Sequence, residues 1–188
     1  RLGPMQFVFA GKAHPHDAAG QEIIRRLFGV GRALEGRLRV VYLPDYDMDL
    51  GRRLCAGVDV WLNTPVPPQE ASGTSGMKAA LNGVPSLSIL DGWWVEGCVE
   101  GVTGWAIGDD GESEFASDAE RDTQQARALY EKLADAVLPC FYERPRDFAQ
   151  MMRHSIALNG SFFNTQRMVL QYLYEAYGSN PRERAGRL

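Results

Sequence analysis

Glu70-Ala-Ser-Gly-Thr-Ser-Gly-Met-Lys78 is the stretch on which the reading of this chain turns. Gly73 and Gly76 are turn formers that flank Thr74 and Ser75, and the helix-competent run Met77-Lys-Ala-Ala-Leu81 follows before Asn82-Gly83 stops it. The pattern predicts a loop over Gly73–Gly76 feeding the N-terminus of a short helix. Such an end carries unpaired backbone N–H groups and the positive pole of the helix dipole, so it favours an anion. Lys78 stands four residues after Thr74, on the same helix face. Helical side chains lean toward the N-terminus, which brings its amine toward an anion held there. An amine beside a phosphate cradle suits a covalently held phosphorylated aldehyde. The same residues also fit a capped surface helix with an ordinary exposed lysine, and the P-loop pattern is absent.

Outward from that loop, short β-forming runs alternate with helical spacing. Gln6–Ala10, Leu38–Leu43, Val58–Leu62 and Pro85–Leu90 are predicted strands. Asp17 can cap a helix with Ile23, Ile24, Leu27 and Phe28 on one side, and Met48–Ala56 is a second helix. With the helix after Gly76, the order is β-α-β-α-β-α-β, as expected of a parallel, doubly wound α/β sheet. Ligands of such sheets bind beyond the strands' C-terminal ends, so the loops after Ala10, Leu43, Leu62 and Leu90 should share one rim. Trp93–Gly108 reads as irregular with a short strand near Gly104–Ile107, and 109–122 as an acidic exposed loop. Three helices are predicted over 123–178. The last, Thr165–Tyr177, should turn Leu170, Leu173, Tyr174 and Tyr177 inward, and the tail 179–188 should fray.

At 188 residues and 45% hydrophobic content the chain can bury a real core. A net charge of −4 argues against nucleic acid or an anionic membrane as partner, and no stretch reaches membrane-spanning length. The three cysteines, Cys55, Cys98 and Cys140, form neither a disulfide framework nor a zinc spacing, so a reducing cytoplasm is the simplest setting. The chain begins abruptly, one step before a strand, as a piece of a longer protein would.

Other constellations are weaker. His14 and His16 share the first loop without acidic or cysteine partners, so no metal site is expected. Asp45-Tyr46-Asp47 fits either a ligand-facing rim or a cap for the next helix. Trp93-Trp94 fits either sugar stacking or core packing. Glu70 is the carboxylate best placed to bind a hydroxylated ligand. Lys12 and Lys78 are the only cations expected on the rim.

The segment from Glu70 to Lys78, extended through Ala79-Ala-Leu-Asn-Gly83, closely resembles the cofactor motif of the α-glucan (glycogen, starch, maltodextrin) phosphorylases. Phe9-Ala-Gly-Lys-Ala-His-Pro15, Leu43-Pro-Asp-Tyr-Asp-Met48, Gly57-Val-Asp-Val-Trp-Leu-Asn63, Asp91-Gly-Trp-Trp-Val-Glu96, Gly104-Trp-Ala-Ile-Gly108 and Phe163-Asn-Thr-Gln-Arg-Met168 resemble the bacterial short-form members in the same order. The resemblance implies the second Rossmann-like domain of a GT-B glycosyltransferase fold over residues 5–108, followed by C-terminal helices. It implies pyridoxal 5′-phosphate in a Schiff base with Lys78, its phosphate held by Thr74, Ser75 and Gly76, and Tyr46 packed against it. Glu70, Ser72 and Gly73 would contact the glucosyl hydroxyls. The implied reaction is phosphorolysis of α-1,4-glucan chain ends by inorganic phosphate to α-glucose 1-phosphate, with retention. No nucleic acid or membrane partner is implied, and an oligomer is left open. Val66-Pro67 stands where the family has basic residues, and the family's phosphate-binding Arg and Lys lie upstream of Gln6. The chain by itself is therefore expected to be inactive. A non-catalytic cofactor- or carbohydrate-binding fragment and a nucleotide-sugar glycosyltransferase of the same fold are the competing readings.

Overall fold

The computed structural model describes residues 3–108 and 115–178 and divides into two compact units, one ending at Leu54 and one beginning at Cys55. The expected tail at 179–188 and the first part of the acidic loop, 109–114, lie outside the described residues.

In the first unit, strand β1 (Gln6–Ala10) pairs in parallel with β2 (Arg39–Leu43), with Val8 opposite Val41. Helix α1 (Ala18–Ala33) starts where the sequence places it, because the Asp17 carboxylate accepts from Gly20 N at 2.9 Å. The Phe28 ring meets Tyr42 edge-on at 5.6 Å, and the Tyr42 hydroxyl donates to Gly11 O at 2.8 Å. Helix α2 (Met48–Gly57), whose last three residues belong to the second unit, is capped by Asp47, whose Oδ1 accepts from Leu50 N at 2.8 Å. The capping alternative for Asp45-Tyr46-Asp47 is thus realised.

The second unit is built on a parallel ladder with β4 (Ser86–Ile89) between β3 (Trp61–Asn63) and β5 (Gly104–Ile107). Every residue of β4 is buried, as a central parallel strand with both faces covered should be. Leu87, Trp94 and Ile107 are each about 1% exposed and anchor this core. The strands thus form two parallel ladders, β1-β2 and β3-β4-β5, rather than the one sheet expected. β3 is also shorter than Val58–Leu62, because it follows its partner only through the pairs Trp61–Ser86 to Asn63–Ser88.

Three further expectations change. Trp94–Gly97 forms a short helix, α4, in a stretch read as irregular. Helix α5 (Asp118–Lys132) begins inside the presumed acidic loop. Ser117 Oγ accepts from Glu120 N while Glu120 Oε2 accepts from Ala116 N, and Asp118 and Glu120 sit at the positive pole of the dipole. The chain continues through a π-helical turn, Leu133–Val137, into α6 (Leu138–Glu143). Pro139 cannot supply the usual helical N–H, and the wider turn just before it accommodates that loss.

After α7 (Pro145–His154) and a second π-helical segment, Ser155–Gly160, comes α8 (Thr165–Gln171), capped by Asn164 Oδ1 on Arg167 N and extended by Tyr172–Tyr177. Its expected inward face is exposed: Leu170 and Leu173 are half exposed, and Tyr174 and Tyr177 more so. Helical periodicity predicts an apolar face but not the surface that covers it.

Candidate functional site

Strand β3 leads through a turn containing a cis Pro67–Pro68 peptide into the Glu70–Gly73 loop, which delivers helix α3 (Thr74–Leu81). The helix begins at Thr74, three residues before the sequence suggests, and Gly76 lies inside it. Gly73 is the N-cap, with φ +85° and ψ 47°, a left-handed conformation that glycine adopts without steric cost. A glycine cap has no side chain to accept from the first turn. Gly76 N reaches Gly73 O at 3.1 Å, while the amides of Thr74 and Ser75 have no acceptor among the described residues. The helix closes where predicted, with Asn82 Nδ2 donating to Lys78 O at 2.8 Å.

The loop is held from below by the end of β4. The buried Asp91 carboxylate accepts from Glu70 N through Oδ2 and from Gly92 N through Oδ1, both at 2.9 Å. Trp93 N donates to Ser72 O at 2.8 Å. Gly92 has φ +53°, and a Cβ there would stand 2.7 Å from Ser72 O. The Trp93 indole is 6% exposed and Trp94 1%, their rings 5.1 Å apart, so the pair is core packing and not a stacking platform.

Sequence reasoning reads Asp91-Gly92 only as the end of a strand and leaves Trp93 between two roles. The signal that joins them to the loop is the two glycines, Gly73 and Gly76, spaced to accept a large ring. Cys55, buried, directs its thiol toward Ser75 O at 3.9 Å. Burial pushes that thiol above its ordinary range, and the positive charge of Lys78 pulls partly the other way.

The structure therefore brings together Glu70, Ser72, Gly73, Thr74, Ser75, Gly76 and Lys78 on one loop and its helix. Thr74 and Lys78 are exposed, Ser75 and Glu70 half-buried, and Gly76 buried. Tyr46, 41% exposed, belongs to the first unit, where it packs across Gly51 of α2. In the same unit His16 N donates to His14 Nδ1 at 3.2 Å. Among the described residues no group of three or more His, Cys, Asp or Glu could hold a metal ion.

Residues 1–133 match the carbohydrate phosphorylase family. The chain belongs to that family. It is 46% identical over 175 residues to the maltodextrin phosphorylase of Thermococcus litoralis, which covers 93% of this chain and 21% of that protein. To the glycogen phosphorylase of Aquifex aeolicus it is 43% identical over 185 residues, 96% of this chain and 26% of the relative. The Mycobacterium tuberculosis glycogen phosphorylase is 44% identical over 180 residues, 93% and 20%. This member of the carbohydrate phosphorylases thus spans a fifth to a quarter of the length of the relatives it matches.

Its residues fit a phosphorylated aldehyde. The glycine cap leaves two amides and the Thr74 and Ser75 hydroxyls for an anion, and Lys78 supplies an amine one turn further along the same helix. Among the described residues no helix is long and apolar enough to cross a membrane.

Proposed function

We propose that this chain is the C-terminal part of an α-1,4-glucan phosphorylase, with residues 5–108 carrying the Rossmann-like portion of the second GT-B domain and the later helices closing it. The observation that carries this reading is the glycine-capped start of α3, where no side chain accepts from the first turn, with Thr74, Ser75 and Lys78 within a turn and a half of the left-handed Gly73. Lys78 is the amine to which pyridoxal 5′-phosphate would be attached, with Thr74, Ser75 and Gly76 holding its phosphate.

When bound, that cofactor supplies a phosphate able to exchange a proton with the substrate phosphate. Thr74 and Ser75 hold charge by donating hydroxyl and amide hydrogens to it. Glu70, Ser72 and Gly73 orient the terminal glucosyl unit: the Glu70 carboxylate accepts from sugar hydroxyls, and the buried Asp91 fixes the backbone from which it projects. The net reaction is attack of inorganic phosphate at a glucan chain end, releasing α-glucose 1-phosphate with retention. Because this chain spans only a fifth to a quarter of its relatives' length, turnover is assigned to the full-length protein in the cytoplasm, and the 188-residue chain alone to cofactor binding without turnover.

The test is to incubate the full-length protein with an α-1,4-glucan, inorganic phosphate and pyridoxal phosphate and to read the anomeric configuration by NMR. Cofactor-dependent α-glucose 1-phosphate is expected. A β product, or release that does not depend on the cofactor, contradicts the reading.

A further inference from the structure

Trp93 occupies a slot that three glycines leave open. A Cβ at Gly73 would stand 3.0 Å from its Cδ1, one at Gly76 2.9 Å from its Nε1, and one at Gly97 2.7 Å from Cζ3 on the far edge of the ring. Phe163 closes the slot, edge-on at 5.1 Å and 76°. The indole is thus a rigid plate gripped on two edges, and its backbone N–H holds Ser72 O at 2.8 Å. Its contacts fall on the cap and first turn of α3, the part that carries Thr74 and Ser75. Lys78 lies beyond them, exposed on the second turn.

We propose that Trp93 is a positioning residue for the anion-binding end of this site, setting the Gly73 cap and the first-turn amides of α3 without acting on Lys78. The inference rests on the reading of Lys78 and the Thr74-Ser75 turn as the pyridoxal phosphate site. A plate that fixes only the first turn should matter to a ligand's phosphate and not to its aldehyde. Any general loosening of the unit would instead weaken both alike.

The two can be separated by comparing pyridoxal 5′-phosphate with pyridoxal, which lacks the phosphate. Each is titrated into the chain, trapped with borohydride and quantified by peptide mass mapping at Lys78. For Trp93→Leu, the preference for the phosphorylated form should fall about fivefold to tenfold, the scale of a helix-terminus anion interaction in a partly buried setting. Pyridoxal labelling should stay at the wild-type level. Trp93→Phe, which keeps a ring in the slot, should show the same selective loss to a smaller degree, and it serves as the readout if Trp93→Leu does not fold. Equal weakening of both ligands, or an unchanged preference, would overturn the role of Trp93 while leaving the site itself intact. No label at Lys78 in the wild-type chain would overturn the site reading and this inference together.

Discussion

Gly76→Ala tests the packing under α3 most sharply, because two effects of known size oppose each other there. Alanine is favoured over glycine inside a helix by about 0.8–1 kcal/mol, and by less this near the N-terminus. Against that, the new methyl would come within 2.9 Å of Trp93 Nε1, 3.0 Å of Cζ2 and 3.2 Å of Cε2. The ring cannot retreat, since its far edge rests on Gly97 and Phe163. Forcing a methyl into such packing costs about 1–3 kcal/mol, so the net expectation is a loss of about 1 kcal/mol.

Gly57→Ala is the matched control: it is helical, lies in the same compact unit, and has nothing within 4 Å of the added methyl. It should be neutral or stabilising by a few tenths of a kcal/mol, on the order of the gain at a helix end. Urea unfolding followed by tryptophan fluorescence reads both, because all four tryptophans belong to the unit that begins at Cys55. With a slope of roughly 2 kcal/mol per molar, the Gly76→Ala midpoint should fall by about 0.5 M. In a Trp93→Leu background the same change should lose its penalty. A Gly76→Ala protein as stable as Gly57→Ala would refute the seating of the indole against α3.

Two further outcomes are expected. Asp91→Ala strips the Glu70 and Gly92 amides of their shared buried acceptor, which should cost about 1–3 kcal/mol and speed hydrogen exchange at Glu70 about tenfold or more; protection at Glu70 equal to wild type would contradict the clamp. The Cys98 thiol is pushed from its ordinary 9.0 up to about 12, first by burial and then by the negative charge of Glu100, with Lys132 opposing. It should therefore stay protonated in the folded chain while the unfolded thiol ionises near 9.0. The unfolded state then binds fewer protons above that value, so this group's contribution is flat below pH 9.0 and falls as pH rises toward about 12. Alkylation of Cys98 that titrates near its ordinary value would refute the assignment.

Much of the fold is legible because it is local. The extent of β1, the Asp17 cap of α1, and the stop of α3 at Asn82 follow from residue type within a few positions. The start of α3 is not legible, since Gly76 reads as a turn former, and the indole that occupies the space beside it lies 17 positions later in the chain. The two ladders and the length of β3 depend on pairing, which alternation does not reveal. The exposed face of Thr165–Tyr177 fails for the same reason: the stripe is in the sequence, but its covering surface is not. At the site, the lysine, the hydroxyls and the glycines are readable from spacing and resemblance. The supporting Asp91, Gly92 and Trp93 are not, because their action runs through hydrogen bonds to the backbone, which carries no residue-type signature.

The role proposed for Lys78 is to carry the cofactor. Borohydride reduction of the chain with pyridoxal 5′-phosphate, followed by peptide mass mapping, tests it directly. A single stable label on Lys78 that disappears in Lys78→Arg is expected. A label on another lysine, or one that persists in Lys78→Arg, would contradict it.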